Sequence, residues 1–410
     1  MGINKGIGGH LVIFDELIKI HIHDCSECEE IPMLGHLPLL EDLKLQNLEN
    51  VRSISPSFYG ECDVSFPSLK RLTIQSMRNL TEWEEAQTSR KQVFPCLEYL
   101  KIYWCYKLTH VPHLRGSGAS LKEMEITRCY KLRELPYDLG SLKSLEILEI
   151  SSCGNLQSIS YQNGQEGLRS LRRLEIVACD ELSNLPNEML ECSKSLQRLS
   201  VCFCSNLTSL PEMSGMGSLQ NLMVTGCNNL TLFPEMSGMG SLQNLIVDGC
   251  NNLTSFPKLS GIGCLNSLTE LTIERFSKFN SLQDFLDGFK HIKSLEKLSL
   301  VGEFNTIFAV RVSLPYQLQH LTSLKELRIN YFGMEALPDW FGNLSSLEVL
   351  RLDACRKLRH LPSKEAMQRL TKLKQLTILS CPLLEERCKA ESGPDSEWPK
   401  ISHIPLVQFG

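Results

Sequence analysis

"PEMSGMGSLQNLMVTGCNNLTLFPEMSGMGSLQNLIVDGCNNLTSFP", Pro211 to Pro257, says nearly the same thing twice, the second copy starting at Pro234, 23 residues after the first. The first copy has the skeleton Leu219, Leu222, Val224, Cys227, Leu230, Phe233, Pro234. The second returns it as Leu242, Leu245, Val247, Cys250, Leu253, Phe256, Pro257. In each copy an apolar pair alternates with period two, the signature of a short strand with one buried face. A single such unit cannot bury its own apolar face, whereas stacked units share one continuous core.

The same spacing extends in both directions. Leu196-Leu199-Val201-Cys204-Leu207-Leu210-Pro211 fits it fully, as does Leu171-Leu174-Ile176-Cys179-Leu182-Leu185-Pro186. So do Leu121-Met124-Ile126-Cys129-Leu132-Leu135-Pro136 and Leu347-Leu350-Leu352-Cys355-Leu358-Leu361-Pro362. Fifteen units emerge, the first at Leu17 and the last at Leu373, at intervals of 23 to 29 residues. This is the leucine-rich repeat pattern. It predicts an α/β repeat solenoid: a horseshoe with a parallel β-sheet on its concave face and short helical, 3-10 or irregular segments on its convex face. Fifteen strands at the usual spacing give a sheet roughly 70 Å along its arc. The expected division is an N-terminal segment over 1–16, the repeats over 17–384 and a capping segment over 385–410. No comparable cap precedes the first unit, so association through Leu17, Ile20 and Ile22 is expected.

Composition narrows the function. A net charge near −5 in 410 residues gives no electrostatic reason to expect nucleic acid. No run reaches the ~18 apolar residues of a membrane span, and the start lacks a secretory signal. Of 17 cysteines, ten occupy one repeat position: Cys25, Cys105, Cys129, Cys153, Cys179, Cys204, Cys227, Cys250, Cys355 and Cys381. The same slot elsewhere holds Met77, Phe276 or Phe332, so these thiols are expected to be buried packing residues. Cys25-x-x-Cys28 has the local spacing of a zinc knuckle but no second pair beside it. The triplets Asn206-Leu-Thr, Asn229-Leu-Thr and Asn252-Leu-Thr recur at one fixed place in the repeat, which explains them without glycosylation. Phosphate-loop, metalloprotease, nucleophile-elbow and calcium-loop motifs are missing. The reading is of a protein without enzyme activity, cofactor or metal.

The concave face then carries the function. Between the two apolar residues of each strand lies one outward residue, and across successive units these form a column. From the fourth unit to the fourteenth it runs Lys101, Glu125, Glu149, Glu175, Ser200, Met223, Ile246, Thr272, Ser299, Arg328, Arg351. Three glutamates on neighbouring strands are expected to repel by ~0.2–1 kcal/mol per pair, unless Arg128, Arg172 or Arg173 neutralises them. Val177, Cys202 and Phe203 extend the apolar middle, and Tyr103 with Trp104 marks the far side of the acidic stretch. An acidic, apolar, then basic strip suits a protein partner. The candidate contact residues are Tyr103, Trp104, Glu125, Glu149, Glu175, Phe203, Met223, Ile246, Arg328 and Arg351.

A family resemblance sharpens this. "CSECEEIPMLGHLPLLEDLKLQNLENVRSI", Cys25 to Ile54, resembles the start of the repeat region in plant coiled-coil nucleotide-binding disease resistance proteins. "FPSLKRLTIQSMRNLTEW", Phe66 to Trp83, resembles the unit that follows, and "LPDWFGNLSSLEVLRLDACRKLRHLP" fits their later repeats. Cys381-Pro382, Arg387-Cys388 and Trp398-Pro399-Lys400-Ile401-Ser402-His403-Ile404-Pro405 are similar to the family's closing segment. The resemblance implies a recognition and autoinhibition domain of a cytoplasmic or nucleo-cytoplasmic immune receptor. Its partner would be a pathogen effector or a guarded host protein, and the receptor's nucleotide-binding domain where the chain is longer. The family's coiled coil and nucleotide switch have no counterpart here, so nucleotide binding is not carried over. The alternatives are the substrate-recognition repeats of an F-box-type ubiquitin-ligase adaptor, which share the cysteine slot but lack the Leu-Pro ending, and a standalone repeat scaffold.

Overall fold

A computed structural model describes residues 15–87, 92–114, 116–136, 138–159, 167–254, 265–274, 292–302, 314–389, 393 and 395–410. Of the expected N-terminal segment, all but residues 15 and 16 lies outside the described residues, as do Phe256, Pro257 and Phe276.

One parallel sheet runs through the chain in sequence order. Its first five strands are β1 (Lys19–His23), β2 (Asp42–Gln46), β3 (Arg71–Gln75), β4 (Tyr99–Tyr103) and β5 (Glu123–Thr127). Then come β6 (Ile147–Ser151), β7 (Arg173–Val177), β8 (Arg198–Cys202), β9 (Asn221–Thr225) and β10 (Asn244–Asp248). The series continues with β11 (Glu270–Glu274), β12 (Lys297–Val301), β13 (Glu326–Asn330) and β14 (Val349–Asp353). It closes with β15 (Gln375–Leu379) and β16 (Leu406–Phe409). The first fifteen follow the fifteen repeat leucines, and the sixteenth belongs to the closing segment.

The duplicated phrase stacks on itself. Asn221 pairs with Asn244 and Met223 with Ile246, and the Asn244 side-chain amide donates to Asn221 at 2.7 Å. Asn251 likewise donates to Asn228 at 3.1 Å. A close copy 23 residues away meets the same neighbours, so the repeat period is also the contact period.

From the second unit on, the described repeat leucines join a single core; Leu219, Leu242, Leu245 and Leu253 are fully buried. The connecting segments are short helical turns such as Asn187–Glu191, Tyr316–His320, Asp339–Asn343 and Lys364–Arg369. Where the period lengthens, in the second and third units, two short strand pairs form: Ser53–Ile54 with Glu82–Trp83, and Val64–Ser65 with Gln92–Val93. Phe58, Phe66 and Phe94 fill the added interior, the last two stacked with ring centres 5.1 Å apart.

The cysteine slot is buried from Cys105 onward, and Met77 and Phe332 sit inside as well. Thiols of Cys105, Cys204, Cys227 and Cys355 approach a carbonyl of the preceding strand at 3.6–3.9 Å, a weak cap on that strand's end. Burial pushes the Cys105 and Cys179 thiols up to about 12, so these sulfurs are inert packing groups. Cys25 departs from the expectation: it is half-buried and joined to Cys28 in a disulfide. The physical reason is position. β1 pairs with β2 on one side only among the described residues, so nothing there covers the slot from the other side.

Candidate functional site: the concave face

Register places the expected column in one line. Lys101, Glu125, Glu149 and Glu175 are Cα partners in succession, as are Ser200, Met223, Ile246 and Thr272. Ser299, Arg328 and Arg351 continue it. In these strands the second and fourth residues face the core, while the first, third and fifth face out.

At the acidic end the glutamates do not simply repel. Lys101 Nζ lies 2.7 Å from Glu123 and 2.8 Å from Glu125, and the Tyr103 hydroxyl donates to Glu125. Arg173 bridges Glu149 at 2.6 Å and Glu175 at 2.8 Å. Of the three arginines considered from sequence, Arg173 is the neutraliser. Arg172 pairs instead with Glu146 at 3.7 Å, and the Arg128 side chain makes no hydrogen bond or ion pair among the described residues. Burial alone would lower the Lys101 pKa, but its bonds to Glu123 and Glu125 outweigh burial and hold it above the ordinary value. Burial holds Glu149 above the usual carboxylate range against the pull of Arg173, with neighbouring glutamates adding to the rise. Four carboxylates share two cations here, so the cluster keeps net negative charge.

The centre is apolar and shallow. Met223, Ile246 and Val177 are half-buried on the outward side of β9, β10 and β7. Cys202, expected to extend this surface, is instead buried at 6% exposure between Val177 and Thr225. Phe203 is 56% exposed, and its ring lies over the next unit's Gly226: a Cβ there would come within 2.5 Å of it. A glycine in that unit is what allows the ring to lie across it.

The far end is mixed in charge rather than basic. Arg328 donates through Nε to Glu326 at 2.8 Å, and Arg351 Nε lies 3.7 Å from the same carboxylate. Beside them Glu270, Thr272, Glu274, Lys297 and Ser299 help line a cleft of about 140 Å³. Reading only the middle residue of each strand missed Glu123, Glu270, Glu274 and Glu326. Those residues occupy the first and fifth positions, which face the same side and could have been counted with it.

A second row went unread. After β1 to β10, β13 and β14 the next residue adopts a left-handed backbone, and its N–H donates to the last carbonyl of the following strand. Asn47 bonds to Gln75 at 3.1 Å, Trp104 to Thr127 at 3.0 Å and Phe203 to Thr225 at 2.7 Å. Asp24, Asn47 and Gly226 suit that geometry. Trp104 (φ 56°), Arg128 (φ 56°), Phe203 (φ 55°) and Tyr331 (φ 59°) do not, being bulky residues in a conformation disfavoured for them. They line the rim where strands end, with Trp104 and Tyr103 ring centres 6.4 Å apart.

Residues 111–237 match a family model described as plant disease resistance protein RPS2-like, leucine-rich repeats. Residues 311–381 match another, R13L1/DRL21 LRRs. A putative disease resistance RPP13-like protein 1 of Arabidopsis thaliana is 29% identical over 103 residues, 23% of this chain and 10% of that protein. Putative disease resistance protein RGA4 of Solanum bulbocastanum is 34% identical over 122 residues, 28% of this chain and 11% of that one. RGA1 of the same species is 31% identical over 96 residues, 23% of this chain and 9% of its own length. The aligned stretches therefore span about a tenth of these relatives. Among solved structures, a leucine-rich repeat protein of Leptospira interrogans aligns over 97% of this chain and 90% of its own, at 20% identity and a TM-score of 0.49. No described helix is long and apolar enough to cross a membrane.

Proposed function

We propose that this chain, whose leucine-rich repeats are related to those of plant disease resistance proteins, is a protein-recognition module. It senses a pathogen effector, directly or through a host protein that the effector modifies. Within a longer receptor it also contacts the nucleotide-binding domain and holds it inactive. The site of action is the cytoplasm. The supporting observation is the concave strip itself: Met223 and Ile246 half-buried in the middle, Phe203 exposed at the rim, and clusters of interleaved charge on either side. A centre that sheds water easily, ringed by charge that rejects mismatched partners, is the arrangement of a protein interface.

The test uses the chain as bait in extract from pathogen-challenged plant tissue, with recovered proteins quantified by mass spectrometry. Phe203→Ala with Ile246→Glu should remove the partner that the wild type recovers. Leu232→Glu changes a leucine 57% exposed outside the concave strands and should leave recovery intact. Equal recovery by the wild type and the concave variant would overturn the reading.

A further inference from the structure

We propose that Cys25 and Cys28 form a thiol–disulfide couple that exchanges with small-molecule disulfides and sets the order of the first repeat. This lies outside the recognition role of the concave face. In every other repeat with a cysteine in the slot, the place of Cys28, three residues on, is taken by a buried leucine such as Leu108, Leu132 or Leu207. The first repeat alone puts sulfur at both places. Cys25 and Cys28 are half-buried, whereas the later slot cysteines from Cys105 to Cys381 are nearly inaccessible.

The turn that carries the pair is held from the second repeat, independently of the sulfur bond. Asp24 N–H donates to Gln46 at 3.1 Å, Asn47 donates to the Asp24 carboxylate at 2.7 Å, and Asn50 donates to the Ser26 carbonyl. Within the turn Cys28 N–H approaches Cys25 O at 3.4 Å, and the two Cα atoms stand 5.5 Å apart, inside the span a disulfide bridges. Reduced thiols are thus already placed to re-form the bond. Oxidation proceeds in two exchanges. One thiol loses its proton and its sulfur attacks the external disulfide, releasing one small thiolate and leaving a mixed disulfide. The second cysteine's thiolate then displaces the other half. The external disulfide gains two electrons, the pair loses two, and two protons leave the protein thiols.

The structural consequence falls on β1, which pairs only with β2 among the described residues and where Ile20 and Ile22 are only partly buried. The bond closes the turn leading out of that strand and replaces packing that a covered repeat would have. Asp24, Glu27, Glu29 and Glu30 surround the pair with negative charge, so a cationic disulfide approaches more readily than an anionic one.

Cystamine is therefore the probe. The whole chain is fully reduced, then treated with cystamine or left reduced, and followed by differential alkylation and amide hydrogen exchange. Expected after cystamine is loss of both alkylatable thiols from the peptide holding Cys25 and Cys28, without a lasting adduct. Residues 19–28 should then exchange several-fold more slowly than in the reduced chain. Cys28→Leu, which restores the leucine of the other repeats, should keep a lasting adduct on Cys25 and show no slowing. If that variant misfolds, the wild-type comparison decides alone. The proposal is overturned if the pair stays alkylatable while exposed Cys62 and Cys96 react, or if the bond forms with no change in exchange.

Discussion

Trp104, Arg128, Phe203 and Tyr331 share a backbone conformation that costs an ordinary L-residue roughly 1–2 kcal/mol. Asparagine tolerates it, as Asn47 shows at the same repeat position. Arg128→Asn should therefore raise stability by up to ~1 kcal/mol, since the arginine side chain has no partner to lose among the described residues. Chemical denaturation of the two chains checks this, and a destabilised variant would show that the guanidinium matters to the fold. Phe203 differs, because its ring covers Gly226 and part of any gain is lost with that contact. The buried skeleton was legible in the sequence because leucine, valine and cysteine return at fixed spacing. The left-handed row was not, because Asp, Asn, Ser, Ala, Gly, Trp, Arg and Phe share no side-chain property there. What they share is a φ angle and a hydrogen bond to the next strand.

The ends of the stack obey different rules from its middle. In the closing segment Glu397 is 3% exposed, accepts the Leu361 N–H at 3.0 Å, and lies 2.7 Å from Lys400 Nζ and 3.1 Å from His360 Nδ1. Removing that carboxylate leaves the buried Leu361 N–H unanswered and takes from Lys400 its counter-ion, leaving that ammonium only the Leu361 carbonyl at 3.3 Å, at a cost of about 1–3 kcal/mol. Glu397→Ala should accordingly let proteases enter between residues 390 and 405 before any interior repeat is cut, and a digestion pattern identical to wild type would count against the clamp. β16 was hidden in the sequence because "LVQF" lacks the leucine skeleton, although Val407 and Phe409 alternate toward the core. At the other end Leu17 is 37% and Ile18 52% exposed beside the edge of β1, which pairs with no other strand among the described residues and is the kind of template on which strands add. Sedimentation should show concentration-dependent association that Ile18→Lys reduces. A monomer at every concentration, in wild type and variant alike, would show the edge to be protected.

Across the whole molecule, one period sets both the core and the face. A residue spaced for burial in one unit is buried in the next, and the position between two such residues faces out along the whole sheet. That geometry followed from the sequence, because register is fixed once one face is buried. Charge balance did not follow, since Lys101 answers two carboxylates of β5, Arg173 answers one on β6 and one on β7, and Glu326 tempers the arginines. The central claim is that the outward side of this sheet recognises a protein while the inward side only holds the fold. Neighbours in β10 separate the two directly: Leu245 is fully buried and Ile246 faces out. The decisive measurement is the thermal midpoint together with partner binding for Leu245→Ala and Ile246→Glu. Leu245→Ala should cost about 2–5 kcal/mol of stability and still bind below its midpoint. Ile246→Glu should keep the wild-type midpoint and lose the partner. An Ile246→Glu chain that melts as early as Leu245→Ala, or that binds as wild type does, would contradict the account.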